Sequence, residues 1–172
     1  MENNKQNLKH QEGINKIKEL AKGIDMCLFC THVKKGDGEH TRPMSTQGVD
    51  EDGTIWFFSD KNSLKNKEIK ADKNVRLYYS QPSNSSFMVL NGEAEIVFDK
   101  EKVDELWSAH VKAWFQGGKD DPNISLIKVT PTSAYYWDVE GNKMVNFFKY
   151  LASIATGKEL IDAKEGEIKV NK

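Results

Sequence analysis

Long apolar runs are missing from this chain. Nothing in it approaches the roughly 20 consecutive apolar residues that a membrane helix needs. The opening residues, MENNKQNLKHQE, hold no apolar core of the kind an export signal requires, so the expectation is a cytoplasmic protein. An excess of one charge is missing too. Lysine and arginine number 25 against 26 for aspartate and glutamate, a formal net charge of −1, which provides no broad field for gripping nucleic acid or an anionic membrane. Cysteine is scarce. Its two copies, Cys27 and Cys30, form a Cys-x-x-Cys, but there is no second pair, and His10, His32, His40 and His110 show no ligand spacing. CLFCTHV reads as a strand, which points residues three apart to opposite faces, whereas a redox dithiol wants a helix start. Buried apolar filler is the reading these cysteines favour. Neither a dinucleotide-binding glycine fingerprint nor an internal repeat occurs.

What is present fits one domain. The 172 residues are 38% hydrophobic and 30% charged, enough for a real core beneath a highly charged surface. Helical spacing of Ile14, Ile17, Leu20 and Ala21 predicts a helix over 11–23, followed by a strand over 25–33 that is apolar nearly throughout and expected to be buried on both faces. A glycine-bearing loop over 34–39 leads to strands at 39–47 and 54–59 around a turn at 48–53. A short helix over 63–71 and a strand over 74–80 follow. A long strand over 87–98 carries Asn91-Gly92 as a bulge or bend. Asp99 caps a predicted helix reaching Phe115, with Val103, Trp107, His110, Val111 and Trp114 on one stripe, all read as packing residues. Strands over 126–130 and 133–139, broken by Pro131, precede a last helix over 144–156. Residues 1–10 and 158–172 read as polar tails flanking a domain over 11–157. Seven or so strands joined by short connections, with helices at the edges, predict a mainly β (α+β) small antiparallel barrel.

One stretch, RPMSTQGVDEDGTIWFFSDKNSLK from Arg42 to Lys65, concentrates chemistry. Trp56, Phe57 and Phe58 make a bulky apolar strand end. Beyond it, Ser59, Lys61, Ser63 and Lys65 set hydroxyls and cations where a helix begins. Helix N-termini present unpaired amide donors and the positive end of the dipole, which suits a phosphate. An aromatic wall beside such a seat suggests a phosphorylated, ring-bearing cofactor; an ordinary hairpin with a solvated corner accounts for the same residues.

Arg42-Pro43-Met44, then WFFSD, then Ser63-Leu64-Lys65 together resemble the pyridoxamine 5′-phosphate oxidase-like superfamily of FMN-binding split barrels. WFQGGKDDPNISLIKVTPTSAYYWD, from Trp114 to Asp138, resembles the general stress protein 26 branch. The resemblance covers about 13–157. It implies a six- to seven-stranded antiparallel split β-barrel with flanking helices, forming a homodimer with FMN at the subunit interface. On this resemblance Arg42, Pro43 and Met44 lie along the flavin, partly through backbone atoms, and Trp56, Phe57, Phe58 and Ser59 border its ring and ribityl parts. Ser63, Leu64 and Lys65 hold the phosphate, and the partner subunit's Trp137 meets the ring. The vitamin-making oxidases place an Arg-Lys pair at the phosphate and use a substrate-binding C-terminal segment. Here Ser63 and Leu64 precede Lys65 and the chain ends in GEIKVNK, so pyridoxamine phosphate oxidation is not the expected reaction. The expected function is that of an FMN-binding general stress protein, an FMN-dependent oxidoreductase acting on an unidentified small molecule. The alternatives are a flavin-sequestering stress protein without turnover and a barrel adapted to haem or a deazaflavin.

Overall fold

The computed structural model describes residues 5–31, 38–139, 149, 152–153, 156 and 163–170. Its elements in chain order are β1 (Leu8–Lys9), α1 (His10–Ile24), β2 (Met26–Thr31), β3 (His40–Ser45), β4 (Gly48–Val49), β5 (Ile55–Asp60), α2 (Leu64–Ala71), β6 (Asn74–Gln81), β7 (Ser86–Val97), α3 (Lys100–Leu106), α4 (Ala109–Lys112), β8 (Ile124–Val139) and β9 (Ala163–Lys169). All strands belong to one sheet, ordered β1-β9-β8-β7-β6-β2-β3, with β5 also on β8 and β4 on β5. Every pair is antiparallel except β1 with β9. The described residues hold nine strands against the six or seven expected, and the two shortest, β1 and β4, have two residues each.

β8 organises the sheet. Its first half pairs with β5 (Ile55↔Val129 to Asp60↔Ile124) and its second half with β9 (Ser133↔Lys169 to Val139↔Ala163). β7 runs along the opposite edge from Leu126 to Trp137. The bend expected at Asn91-Gly92 is present as a register shift, with Gly92 opposite Pro131. A Cβ at Gly92 would lie 2.8 Å from the Thr130 carbonyl oxygen. Pro131 therefore does not divide two strands, as its missing N–H suggested. It sits at the bulge, where no ladder bond is required of it, and β8 continues through it for 16 residues.

Alternation decides what the sheet buries. Phe29, Phe57, Leu77, Leu90, Ile127 and Ile168 are fully buried on the inner face, and α1 adds Ile17, Leu20 and Ala21 to the same core. β2 departs from the expectation of burial on both faces: Cys27, Phe29 and Cys30 are buried, but Met26 and Leu28 are each about half exposed (50% and 49%). The cysteines are free and buried. A second apolar cluster joins Trp56, Ile124 and Leu126 to Val103, Val111 and Phe115.

The helix expected over 99–115 is two helices. Trp107 adopts an extended conformation (φ −65°, ψ 129°), and the Ser108 hydroxyl accepts from the Val111 N–H at 3.4 Å, opening α4 with a cap instead of continuing α3. The break lets Trp107 pack edge-on to Phe58 at 5.9 Å. Trp114 and His110, read as packing residues, are exposed.

The ends also differ from the expected tails. Residues 163–169 form β9, and Ile168 is fully buried. Leu8–Lys9 pair parallel to β9, the Gln6 N–H donates to the Glu165 carbonyl at 2.7 Å, and Tyr136 Oη donates to the Gln6 carbonyl at 3.0 Å. AKEGEIK carries only one large apolar residue, so its alternation left little for a hydrophobic pattern to register. The loop expected over 34–39 and the helix over 144–156 lie mostly outside the described residues. Of the latter, Lys149, Ala152, Ser153 and Thr156 are described and helical. No described helix is long and apolar enough to cross a membrane.

A Cβ built on Gly166 would collide with the Gln6 carbonyl oxygen, so this glycine admits the N-terminal segment against β9. Gly166→Ala is expected to lower the unfolding free energy by about 1–3 kcal/mol, the usual scale of overpacking. Urea denaturation checks this, and an unchanged midpoint contradicts the docked arrangement of the two ends.

Candidate functional site

Strand alternation splits the WFF segment. Phe57 points into the barrel, edge-on to Phe29 at 5.4 Å between ring centroids. Trp56 and Phe58 take the other face and pack into the α3–α4 layer. Trp56 Nε1 donates to Asp50 Oδ2 at 2.7 Å, and the Lys102 ammonium sits 5.1 Å from its ring centroid. Phe58 packs on Trp107 and on Phe115, the latter at 6.1 Å. The three rings do not form one flat exposed wall within the chain.

At the end of β5 the chain turns into α2 through a buried polar knot. Ser59 Oγ donates to Asn66 Oδ1 at 2.7 Å and lies 3.2 Å from Ser63 Oγ. Asn66 Nδ2 donates to Ser125 Oγ at 2.9 Å, and Ser125 Oγ donates to the Ser59 carbonyl at 3.0 Å. Ser63 caps α2 by accepting from the Asn66 N–H at 3.4 Å. These bonds satisfy hydroxyls and an amide that would be costly to bury unpaired, and they fix where α2 starts. Leu64 is exposed.

Lys65, one residue further, is only partly exposed and makes no hydrogen bond or ion pair with any described residue. Burial lowers its pKa, and the Arg42 guanidinium nearby lowers it further; Asp60 opposes both. Arg42 comes from β3, where it pairs with Phe29 of β2. Its Nη2 donates to Glu68 Oε2 at 2.8 Å and its Nη1 to Thr31 Oγ1 at 3.3 Å. A guanidinium carries five N–H groups, so three remain uncommitted among the described residues.

Glu68 is the centre of this corner. It is 3% exposed. Thr31 Oγ1 donates to its Oε2 at 2.5 Å, and His40 Nδ1 lies 2.5 Å from its Oε1. An ionised carboxylate only accepts, so that ring nitrogen carries its hydrogen. Burial pushes the Glu68 carboxyl up, but the bonds from His40, Thr31 and Arg42, with the Arg42 charge, outweigh it and hold the pKa at about 2.

The structure thus brings Arg42, Ser59, Ser63 and Lys65 to one corner. Pro43 is exposed on the outer face opposite Leu28, and Met44 is buried opposite Cys27. Trp137 lies on the outer face of β8, 41% exposed and 4.6 Å from Tyr135 between centroids. Thr31, Asn66, Glu68 and Ser125 were not singled out from the sequence. Glu68 had one visible signal, as the sole acid among Lys65, Lys67 and Lys70. No three or more His, Cys, Asp or Glu among the described residues are grouped to hold a metal ion.

A family model described as pyridoxamine 5′-phosphate oxidase like matches residues 12–162. Protein bli-3 of Neurospora crassa is 25% identical over 164 residues, 90% of this chain and 78% of that one. Among solved structures, a general stress protein 26 from Jannaschia sp. CCS1 is 25% identical with a TM-score of 0.74, covering 91% of this chain and 94% of its own. The general stress FMN/FAD binding protein from Xanthomonas citri is 28% identical with a TM-score of 0.63, covering 76% and 90%. With these neighbours, the curled sheet is a split barrel of the kind the sequence led one to expect.

The depressed Glu68 carboxyl makes stability depend on pH. A folded pKa of about 2 against an ordinary 4.5 means that the contribution is complete above about pH 4.5 and is lost as pH falls toward 2. Its size is on the order of 3 kcal/mol. Urea unfolding of the wild type should show this acid limb and Glu68→Gln should lack most of it; superimposable limbs would contradict the assignment.

Proposed function

This chain belongs to the pyridoxamine 5′-phosphate oxidase like family, and from that premise we propose that it is a cytoplasmic FMN-binding general stress protein. In this reading it acts as a homodimer and as an FMN-dependent oxidoreductase on a small molecule. The observation that carries the reading is Lys65, a partly buried cation with no described partner, beside an Arg42 with three N–H groups to spare. Two cations held close together outside bulk water repel each other and favour an anion between them. A phosphomonoester, with a charge of about −1.5 to −2 at neutral pH and acceptor oxygens on every side, meets that donor set, and the start of α2 adds its dipole.

In this reading Lys65 and Arg42 grip the phosphate, with Ser63 and Leu64 setting the turn that aims the first amides of α2. Arg42, Pro43 and Met44 run along the flavin on β3, which ends the sheet path and, among the described residues, pairs with β2 alone, so its other edge offers backbone groups. Trp56, Phe57, Phe58 and Ser59 border the ring and ribityl chain chiefly by fixing the end of β5 rather than by offering exposed faces. FMN, once bound, supplies the hydride or electron transfer, and the protein supplies orientation, charge and solvent control.

The remaining wall is assigned to a second copy. Across β3, β2, β6, β7 and β8 the outer face carries Pro43, Leu28, Tyr78, Val89 and Tyr135 in one cross-strand row, all at least partly exposed. Trp137 lies two residues along from Tyr135 on the same face. A continuous apolar row of this kind on a sheet suits association, and it would bring the partner subunit's Trp137 to the ring.

Purified protein is expected to be yellow, with bleaching by NADH or NADPH distinguishing turnover from storage. Lys65→Ala should weaken FMN binding by roughly 1.5–3 kcal/mol, the scale of a charged hydrogen bond, and an unchanged fluorescence titration would refute the phosphate seat. Leu28→Glu should shift sedimentation from dimer to monomer; an unshifted dimer places the interface elsewhere.

A further inference from the structure

An acid is an odd neighbour for an anion seat. Glu68 lies three residues after Lys65 on α2 and therefore on the same helix face, and its carboxylate is in direct contact with Arg42. By charge alone it repels the phosphate that the two cations attract. Yet it is buried, and Thr31, His40 and Arg42 all converge on it.

Resting on the FMN reading above, we propose that Glu68 is a positioning residue for the phosphate end of the cofactor. It grips one edge of the Arg42 guanidinium from inside the fold and so leaves the rest of the fork, together with Lys65, aimed at a phosphomonoester. Glu68 Oε2 takes one N–H from Nη2, Thr31 Oγ1 takes one from Nη1, and Thr31 Oγ1 itself donates to the same Glu68 oxygen. Two bonds therefore hold one edge of the guanidinium, their acceptors are locked to each other, and the group is rigid and planar. The three N–H groups left over therefore keep one orientation before any ligand arrives. An arginine on an edge strand without this anchor would spread its charge over many rotamers, and fixing them on binding costs affinity. Glu68 also offsets the mutual repulsion of Arg42 and Lys65, which allows both to stand in the ligand-free fold.

Repulsion and positioning act on affinity with opposite signs, so one experiment separates them. Apo-protein is titrated by fluorescence with FMN and with riboflavin, in the wild type and in Glu68→Gln and Glu68→Asp. The ratio of the riboflavin Kd to the FMN Kd isolates the phosphate end, because the ring and ribityl chain are common to both. Loss of an aimed, charge-assisted contact should lower that ratio about tenfold in both variants. A role in charge alone would raise it in Glu68→Gln and leave it unchanged in Glu68→Asp, and either result overturns the proposal. Arg42→Lys should lower the ratio similarly, and Arg42→Lys with Glu68→Gln should be no worse than Arg42→Lys alone; additive losses also overturn it. If Glu68→Gln does not fold, Glu68→Asp carries the same comparison. A wild type that binds neither ligand overturns the FMN reading itself, whereas a wild type that prefers FMN while the variants keep its ratio overturns only the role of Glu68.

Discussion

The buried carboxylate of Glu68 ties α2 to the paired strands β2 and β3, a link that the sheet ladder alone does not make. Thr31 ends β2, His40 and Arg42 belong to β3, and Glu68 comes from α2. Removing one partner from such a buried ionic cluster leaves a desolvated charge uncompensated, which is why clusters of this kind define a geometry more than they add to stability. Here the geometry is that of two cations sharing a corner, and the functional reading depends on it.

The barrel delivers α2 to that corner. β8 pairs with β5 at one end and β9 at the other, so β5 ends where α2 begins, and the Ser59–Asn66–Ser125 knot ties that junction to β8. The aromatic residues divide between two jobs. Phe57 fills the barrel, while Trp56 and Phe58 secure the α3–α4 layer. Among the described residues, what remains on the outer face is the row from Pro43 to Tyr135 and the half-exposed Trp137.

Much of this was legible in the sequence, and the failures share physical causes. The strands β2, β3, β5, β6 and β7, the bend at Asn91-Gly92, α1 and the start of α2 follow from alternation, helical spacing and capping residues, whereas β4 lay inside an expected turn and β8 was expected as two strands. The WFF segment was read as one wall, although a period of two must send Phe57 away from Trp56 and Phe58. β9 hid behind charged residues flanking Ile168. Ser108 split a helix whose stripe looked continuous, because a local cap competes with the helical ladder. At the candidate site, Lys65 was legible from type and position, and Arg42 came from the family resemblance, which set it along the flavin. Glu68 and Asn66 were not legible, because their meaning lies in partners 26 and 59 residues away along the chain.

The proposed function has the Arg42–Lys65 corner hold a flavin phosphate in a paired chain. Native mass spectrometry of the purified protein, after incubation with FMN and desalting, tests it most directly. An assembly of two chains carrying two FMN molecules is the expected species. A bare single chain as the dominant species would contradict it.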